Sequence, residues 1–314
     1  MNILVTGGAG FIGSAIAREL AGKGNVVTVI DNFNDYYEVS LKRDRVKHFL
    51  QGIEVIEGDI RDKVLLSDLF KVKKFEVVCN LAAMAGVRYS VENPSVYVDV
   101  NINGLMNIVE TMREHGCTRL VSASSSSVYG NNSNSPYTED MVADRPESVY
   151  GATKRAGELL LHSYYTLYGI QSTSLRFFTV YGPWSRPDMA MLKFADKMSR
   201  GEAIDIYNKG KLRRDFTYID DIVAGFVLAV EKPVGYEVVN IGRGETVELM
   251  DYIKKLETAL GSEAKKNFLP MQAGDVYETY ADTTKAKNLF GYKSQTSVES
   301  GVEKFVEWYQ SYYA

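Results

Sequence analysis

The run Gly7-Gly8-Ala9-Gly10-Phe11-Ile12-Gly13 restricts the fold more than any other feature, because it joins the apolar stretch NILVTG (2–7) to an amphipathic stretch over 11–23. A strand that turns through glycines straight into a helix brings backbone N–H groups and the positive helix end to one point, where a phosphate can be held. Gly7 permits the tight turn, Gly10 keeps a Cβ out of the way, and Gly13 lets the helix lie close to the strand. The spacing predicts the first βαβ unit of a dinucleotide-binding sheet. A glycine turn that serves packing alone has the same spacing, so the reading needs support from the rest of the chain.

That support comes from alternation. NILVTG (2–7), VVTVID (26–31), GIEVIEGD (52–59), EVVCNLA (76–82), RLVSASS (119–125) and STSLRFF (172–178) are apolar runs of strand length. Helical periodicity separates them over 11–23, 62–70 and 100–115. Parallel strands need crossovers, and crossovers are right-handed, so the order predicts an α/β fold: a Rossmann-type doubly wound parallel sheet with ligands at the carboxyl ends of its strands. Beyond Phe178 the rhythm loosens into YGPWSRPDMAM, an expected helix over 192–201, and the basic turn NKGKLRRDF. A helix over 220–231 and a buried strand over 236–242 are expected to return to the first sheet, before helices near 246–260, 283–290 and 298–313. The expected organisation is a cofactor domain over 1–178 with a return of 217–243, and a smaller, discontinuous C-terminal substrate lobe from 179–216 and 244–314.

Asp31 closes the second strand, where a carboxylate accepts from the ribose hydroxyls of an adenosine and repels a 2′-phosphate. NAD is therefore favoured over NADP, with Lys42 and Arg43 as the cationic counter-argument. Asn32 follows, and Asp59-Ile60 after the third strand could bracket an adenine, an ordinary turn or cap being the alternative for Asp59. Leu81-Ala82-Ala83 offers small side chains where a cofactor lies against backbone. With 40 acidic and 36 basic residues the formal charge is −4, which gives no field for nucleic acid or an anionic membrane. An anionic substrate must be held by a few placed residues. There is no basic leader and no uncharged apolar stretch of about 18 residues, so the chain is expected neither to span a membrane nor to be secreted. Only Cys79 and Cys117 occur, each in a core segment, and His48, His115 and His162 are scattered. The expectation is a reducing cytoplasm, no disulfide and no metal.

Tyr150 and Lys154 lie four apart in SVYGATKRAGELLLHSYY, on one face of an expected helix. A phenol is a poor base at neutral pH, but a neighbouring ammonium and a cationic nicotinamide both favour the phenolate. The pair could therefore move a proton, although a Tyr and a Lys at this spacing also occur as plain surface residues. Ser124-Ser125-Ser126-Ser127 leaves the fifth strand before Val128-Tyr129-Gly130 and brings hydroxyls to the same sheet edge, where one can donate to a sugar oxygen.

Together, GGAGFIG, the serine run before VYG and the Tyr-x-x-x-Lys helix resemble the extended short-chain dehydrogenase/reductase superfamily over essentially the whole chain. Within it, AGVRYS (85–90), RFFTVYGPWSRPDMA (176–190), RRDFTYIDD (213–221) and LPMQAGDV (269–276) are similar to segments of the UDP-glucuronate 4-epimerases. The resemblance implies that Tyr150 takes the proton of the sugar 4-hydroxyl as hydride leaves C4 for NAD. Lys154 then holds the nicotinamide ribose, Ser125 bonds the 4-oxygen, and a 4-keto sugar turns over before the hydride returns. The full cofactor set becomes Gly7, Gly10, Phe11, Ile12, Gly13, Asp31, Asn32, Asp59, Ile60, Leu81, Ala82, Ala83, Asn101, Tyr150 and Lys154. Arg214 is implied near the diphosphate, Asp275 near the uridine ribose, and a homodimer through helices at 92–115 and 148–169.

A glucuronate carboxylate needs donors, and the available group is Ser125, Ser126, Ser127, Thr179 and the nearby Arg186, the hydroxyls fixing the carboxylate and Arg186 helping to organise the loop. Arg88 joins the substrate set, and Arg88 and Arg186 can each equally be surface or ion-pair residues. Thr179 stands where neutral-sugar epimerases frequently carry Asn, and Gln272 where they often carry Arg. Related decarboxylases carry Glu two residues before the Tyr of VYG and dehydratases an Asp-Glu pair; here those places hold Ser126 and Ser127. The expected reaction is 4-epimerisation of UDP-glucuronate to UDP-galacturonate. UDP-glucose or UDP-N-acetylglucosamine is the alternative substrate, and a non-catalytic NAD-binding scaffold the alternative class.

Overall fold

The computed structural model describes residues 1–132, 134–271 and 276–313; Gln272 and Asp275, both singled out by the sequence, lie outside the described residues. The first six strands are β1 (Asn2–Thr6), β2 (Val26–Asp31), β3 (Glu54–Glu57), β4 (Val77–Asn80), β5 (Arg119–Ser125) and β6 (Gln171–Phe177). Four short strands follow, β7 (Thr179–Tyr181), β8 (Ala203–Ile206), β9 (Arg213–Arg214) and β10 (Phe216–Tyr218), and then β11 (Tyr236–Ile241). The central sheet is parallel throughout, in the order β11-β6-β5-β4-β1-β2-β3. Its order reverses beside β1, which puts a crevice at the carboxyl edge where the glycine loop emerges.

Alternation along each strand feeds two apolar layers. Ile3 and Val5 of β1 face one layer with α1 (Phe11–Gly22) and part of α2 (Val39–Phe49), while Leu4 faces the other with α3 (Lys63–Lys73). Asp62 caps α3 by accepting from the Leu65 N–H at 3.0 Å. Two short helices, α4 (Val87–Glu92) and α5 (Pro94–Val98), lead into a wide π turn over Asp99–Gly104 and then α6 (Leu105–His115). The helix over 100–115 expected from periodicity is therefore irregular in its first turn. The next helix, α7 (Val149–Tyr168), starts where Ser148 accepts from the Gly151 N–H at 3.1 Å and stops at Gly169.

The rest of the chain comprises α8 (Ala190–Ser199), α9 (Ile219–Glu231), β12 (Val247–Glu248), α10 (Leu249–Leu260), β13 (Lys265–Phe268), β14 (Glu278–Thr279), α11 (Thr284–Phe290) and α12 (Val298–Tyr313). Here α9 packs on α1 and β11 pairs with β6, so the chain does come back to the first sheet. Stacking of Phe216 on Tyr252 at 3.8 Å joins β10 to α10. The apolar layer around α1 and α9 continues without a break into α8, α10 and α12. Helix α2 was not expected: VSLKRDRVKHF has too few apolar positions for a stripe, yet it buries Leu41, Lys42 and Arg45. Polar contacts hold Lys42 and Arg45 there, while Val46 and Phe49 pack against the apolar layer. Cys79 and Cys117 are buried free thiols, and among the described residues no helix is long and apolar enough to cross a membrane.

One buried ion pair ties α7 to the sheet. Arg176 of β6 donates from Nε and Nη2 to Glu158 of α7 at 2.8 and 2.7 Å, and both side chains are almost wholly buried. Burial pushes the Glu158 carboxyl up, but Arg176, Ser124 and Arg155 outweigh it and hold the group below the usual carboxylate range. A depressed folded pKa means that this stabilisation is present above the unfolded value and is lost as pH falls through the folded one. Arg176→Met is expected to lower the free energy of unfolding by about 3–5 kcal/mol in urea at neutral pH, because it strands a buried carboxylate. A loss below about 1 kcal/mol would contradict the pairing's role.

Candidate active site

A single long cleft along the carboxyl edge collects residues from almost every strand of the sheet. Gly7, Gly10, Phe11, Ile12 and Gly13 form its floor at one end, and Tyr150, Lys154, Ser125, Thr179 and Arg186 line the other. Two of the loop glycines are demanded by the chain itself. Gly7 has φ +68°, and a Cβ there would lie 2.7 Å from the Ala82 nitrogen; a Cβ at Gly13 would lie 2.2 Å from the Gly7 oxygen. Leu81 and Ala82 donate their N–H groups to Thr6 Oγ1, each at 3.2 Å, which presses the 81–83 strand exit against the loop.

At the glycine-loop end, Asp31 accepts from the Ala9 N–H at 3.0 Å on one oxygen and from the Phe33 N–H at 2.9 Å on the other. A carboxylate has about four acceptor positions, so each oxygen keeps capacity for a hydroxyl. Asn32 donates to Asp59 at 2.8 Å, and Arg61 grips both Asp59 oxygens, at 2.9 and 2.8 Å. The Arg61 hydrogen bonds hold the Asp59 carboxyl at about 2, against a smaller opposing push from burial. Asp59 is thus a braced wall residue beside Ile60. The two cations that argued for a 2′-phosphate are otherwise occupied: Lys42 donates to the Asn34 carbonyl and side chain at 2.6 and 3.0 Å, and Arg43 to Glu57 at 2.6 Å.

At the other end, Lys154 donates to the Ala123 carbonyl at 2.8 Å, and its ammonium sits 5.9 Å from the Tyr150 ring centre. Burial pulls the Lys154 ammonium down to about 8, with Glu158 opposing. Burial pushes the Tyr150 phenol up, with the neighbouring Ser125 hydroxyl and the Arg186 charge pulling against it. Ser125 Oγ accepts from the Ser127 N–H at 3.2 Å, which fixes the turn after β5. Tyr97 meets the Tyr150 ring edge-on at 6.2 Å, its own hydroxyl donating to the Ala85 and Gly86 carbonyls at 2.8 and 2.7 Å.

Asn101 stands behind the cleft wall. It clasps Met84 in both directions, accepting from its N–H at 2.8 Å and donating to its carbonyl at 3.0 Å, and also donates to Thr153 at 3.0 Å. Any effect of Asn101 on a ligand therefore runs through the 81–86 segment. Sequence spacing cannot tell such a clasp from a direct contact.

Thr179 opens β7 on the cleft side. Arg186 donates from Nε and Nη2 to the two Asp188 oxygens, both at 2.8 Å. Burial works against this charge, but the paired carboxylate keeps Arg186 firmly protonated. Tyr36 donates to Asp188 at 3.2 Å; burial and that carboxylate together push the phenol up to about 12. Ser126 and Ser127 form the turn beyond β5 and do not line the cleft; nor do Arg88, which covers the Tyr207 ring at 4.8 Å, and Arg214, which donates to the Arg213, Tyr277 and Val276 carbonyls at 2.9, 3.0 and 2.7 Å. Among the described residues no cluster of His, Cys, Asp and Glu could hold a metal ion.

The sequence reading missed Tyr36, Tyr37, Met84–Val87 and Phe177–Phe178, all of which line the cleft. A detectable hint existed for the first two: an aromatic pair in DNFNDYYEV, five residues past a strand-ending carboxylate, is unusual in a polar loop.

The chain matches the NAD dependent epimerase/dehydratase family over residues 3–242. It is similar to UDP-glucuronate 4-epimerase 4 of Arabidopsis thaliana, with 45% identity covering 100% of this chain and 76% of that protein. Among solved structures it is similar to the UDP-glucuronic acid 4-epimerase of Bacillus cereus in complex with UDP-glucuronic acid and NAD, at TM-score 0.93 and 36% identity over 99% of each chain. A UDP-glucose 4-epimerase of Thermotoga maritima with UDP-glucose has the same TM-score, 0.93, at 33% identity over 100% of each chain.

Proposed function

The chain belongs to the NAD dependent epimerase/dehydratase family, and from that premise we propose that it inverts C4 of UDP-glucuronate to give UDP-galacturonate. The observation that carries this reading is one cleft that brings a dinucleotide loop together with Tyr150, Lys154 and Ser125 and with the Arg186–Asp188 pair. It is an NAD-dependent UDP-sugar 4-epimerase. UDP-glucose or UDP-N-acetylglucosamine is the second reading, since the proton-transfer residues would be the same.

The residues present fit the cofactor. A Cβ at Gly10 would meet only the Gly7 oxygen, at 3.0 Å, so what a side chain there would fill is open cleft, the space a pyrophosphate needs beside the first turn of α1. Asp31 retains acceptor capacity for the adenosine ribose, and Asn32, Asp59, Ile60, Leu81, Ala82 and Ala83 wall that subsite. When bound, NAD supplies reversible hydride acceptance. Tyr150 takes the proton of the sugar 4-hydroxyl and returns it, Ser125 holds the 4-oxygen, and Lys154 reaches the nicotinamide ribose while its charge favours the phenolate. Phe177 and Phe178 give the cleft an apolar wall.

Recognition of the uronate carboxylate falls to Ser125, Thr179 and Arg186, with Ser126 and Ser127 shaping the turn behind them. Arg186 spends Nε and Nη2 on Asp188, which leaves Nη1 and the second Nη2 hydrogen for a ligand. A 4-keto uronate can lose CO₂; the Ser126-Ser127 turn carries no acid to promote it. The family resemblance assigns Arg214 to the diphosphate, Asp275 to the uridine ribose and Arg88 to the substrate set; neither arginine lines the cleft described above. A homodimer through the helices at 92–115 and 148–169 is the expectation, to which exposed Val98 on α5 and Leu159 on α7 lend support, and two unpaired buried thiols support residence in the cytoplasm.

Tyr150→Phe is expected to reduce conversion of UDP-glucuronate to UDP-galacturonate by about 10²–10⁴-fold while NAD stays bound; a fully active variant would refute the proton-transfer role. Lys154→Met removes the cation that favours the phenolate, so the acid limb of the kcat–pH profile should move up by about one unit or more. A profile displaced downwards, or not displaced, would show that Lys154 acts only on the ribose.

A further inference from the structure

Arg45 of α2 is fully buried, and the acceptors it reaches are all uncharged. Its Nε and Nη2 both donate to the Trp184 carbonyl, at 3.0 and 2.8 Å, and Nη2 also reaches the Ser185 carbonyl at 3.3 Å. Nη1 donates to Tyr37 Oη at 2.6 Å and to the Ala9 carbonyl at 3.4 Å. Burying a guanidinium on neutral oxygens is costly, and an apolar side chain would fill the space with less penalty. The arrangement therefore calls for a reason beyond packing.

Three segments meet on this one fork: the glycine loop through Ala9, the cleft wall through Tyr37, and the 182–189 loop through Trp184 and Ser185. Trp184 has φ +64°, a left-handed conformation that tryptophan rarely adopts, and two of the Arg45 donors converge on its carbonyl. Two residues later the same loop presents Arg186, and four later Asp188. A planar fork can set the direction of a carbonyl as well as its distance, which an ammonium cannot.

We propose that Arg45 is a positioning residue that determines specificity: it locks the loop bearing Arg186 to the dinucleotide loop, and so sets the sugar subsite for a carboxylate-bearing sugar rather than a neutral one. This rests on the UDP-glucuronate reading above. Displacing the loop by a fraction of an ångström would misdirect Arg186 without removing any group that touches ligand.

The test uses NAD-loaded wild-type, Arg45→Met and Arg45→Lys enzymes. For each, KM for UDP-glucuronate is compared with the inhibition constant of UDP-glucose as a competitor, a quantity that needs no turnover of the neutral sugar. The ratio of the second to the first is expected to fall about tenfold in Arg45→Met, with partial recovery in Arg45→Lys. A lower melting temperature with an unchanged ratio would assign Arg45 to packing alone and overturn the proposal. Should Arg45→Met fail to fold, Tyr37→Phe removes one acceptor and keeps the ring; a fall of about two- to threefold is expected, and no fall overturns the proposal. A wild-type ratio near one would instead remove the uronate reading and this inference with it. A high wild-type ratio that survives in the variants removes only the role of Arg45.

Discussion

The seating of α7 on the end of β5 is the constraint on which the site depends. Tyr150 and Lys154 are carried by the helix and Ser125 by the strand, so a shift between the two elements separates the phenol from its hydroxyl partner. Two contacts hold the seat: Lys154 to the Ala123 carbonyl, and Glu158, one turn further along, which accepts from Ser124 at 2.6 Å while Arg176 fixes it from β6. Both grip β5 within two residues of Ser125. The buried ion pair is thus less a source of net stability than a means of fixing register, since a charge pair of this kind barely repays its desolvation.

Burial at the seat has opposite effects on Tyr150 and Lys154. It raises the Tyr150 phenol and lowers the Lys154 ammonium, so the apolar wall that excludes water also works against an ionised base. What restores the base is positive charge brought close in a low dielectric, where it acts strongly. A bound NAD would supply that charge beside Tyr150. The same principle governs the neighbouring wall of the cleft, where Arg186 keeps its proton because Asp188 is beside it and the Tyr36 phenol is pushed up by burial and by that carboxylate.

The sheet and the site were legible to different degrees. Strand spacing, the glycine loop and the return to the first sheet could be read because each follows from periodicity or from a backbone that admits no side chain, as at Gly7 and Gly13. Helix α2 could not, because Arg45 is held in it by the Trp184 carbonyl, and no one-dimensional pattern records a partner 139 residues away. Asn101 carried the converse difficulty: a polar residue near the cleft was countable, but whether it faces a ligand or clasps Met84 depends on the π turn it sits in. The pairing of Arg186 with Asp188, two residues apart, was visible in RPDMA as an arginine with a nearby acid, and only coordinates give its bidentate form.

The central claim is that C4 of the sugar loses and regains the same hydride within one closed cleft. Incubation of the purified enzyme with UDP-glucuronate carrying deuterium at C4, in ordinary water and without added reductant, followed by NMR of the products, tests it directly. The account expects UDP-galacturonate with deuterium retained at C4 and no pentose. Replacement of the label by solvent hydrogen, or loss of CO₂ as the main outcome, would contradict it.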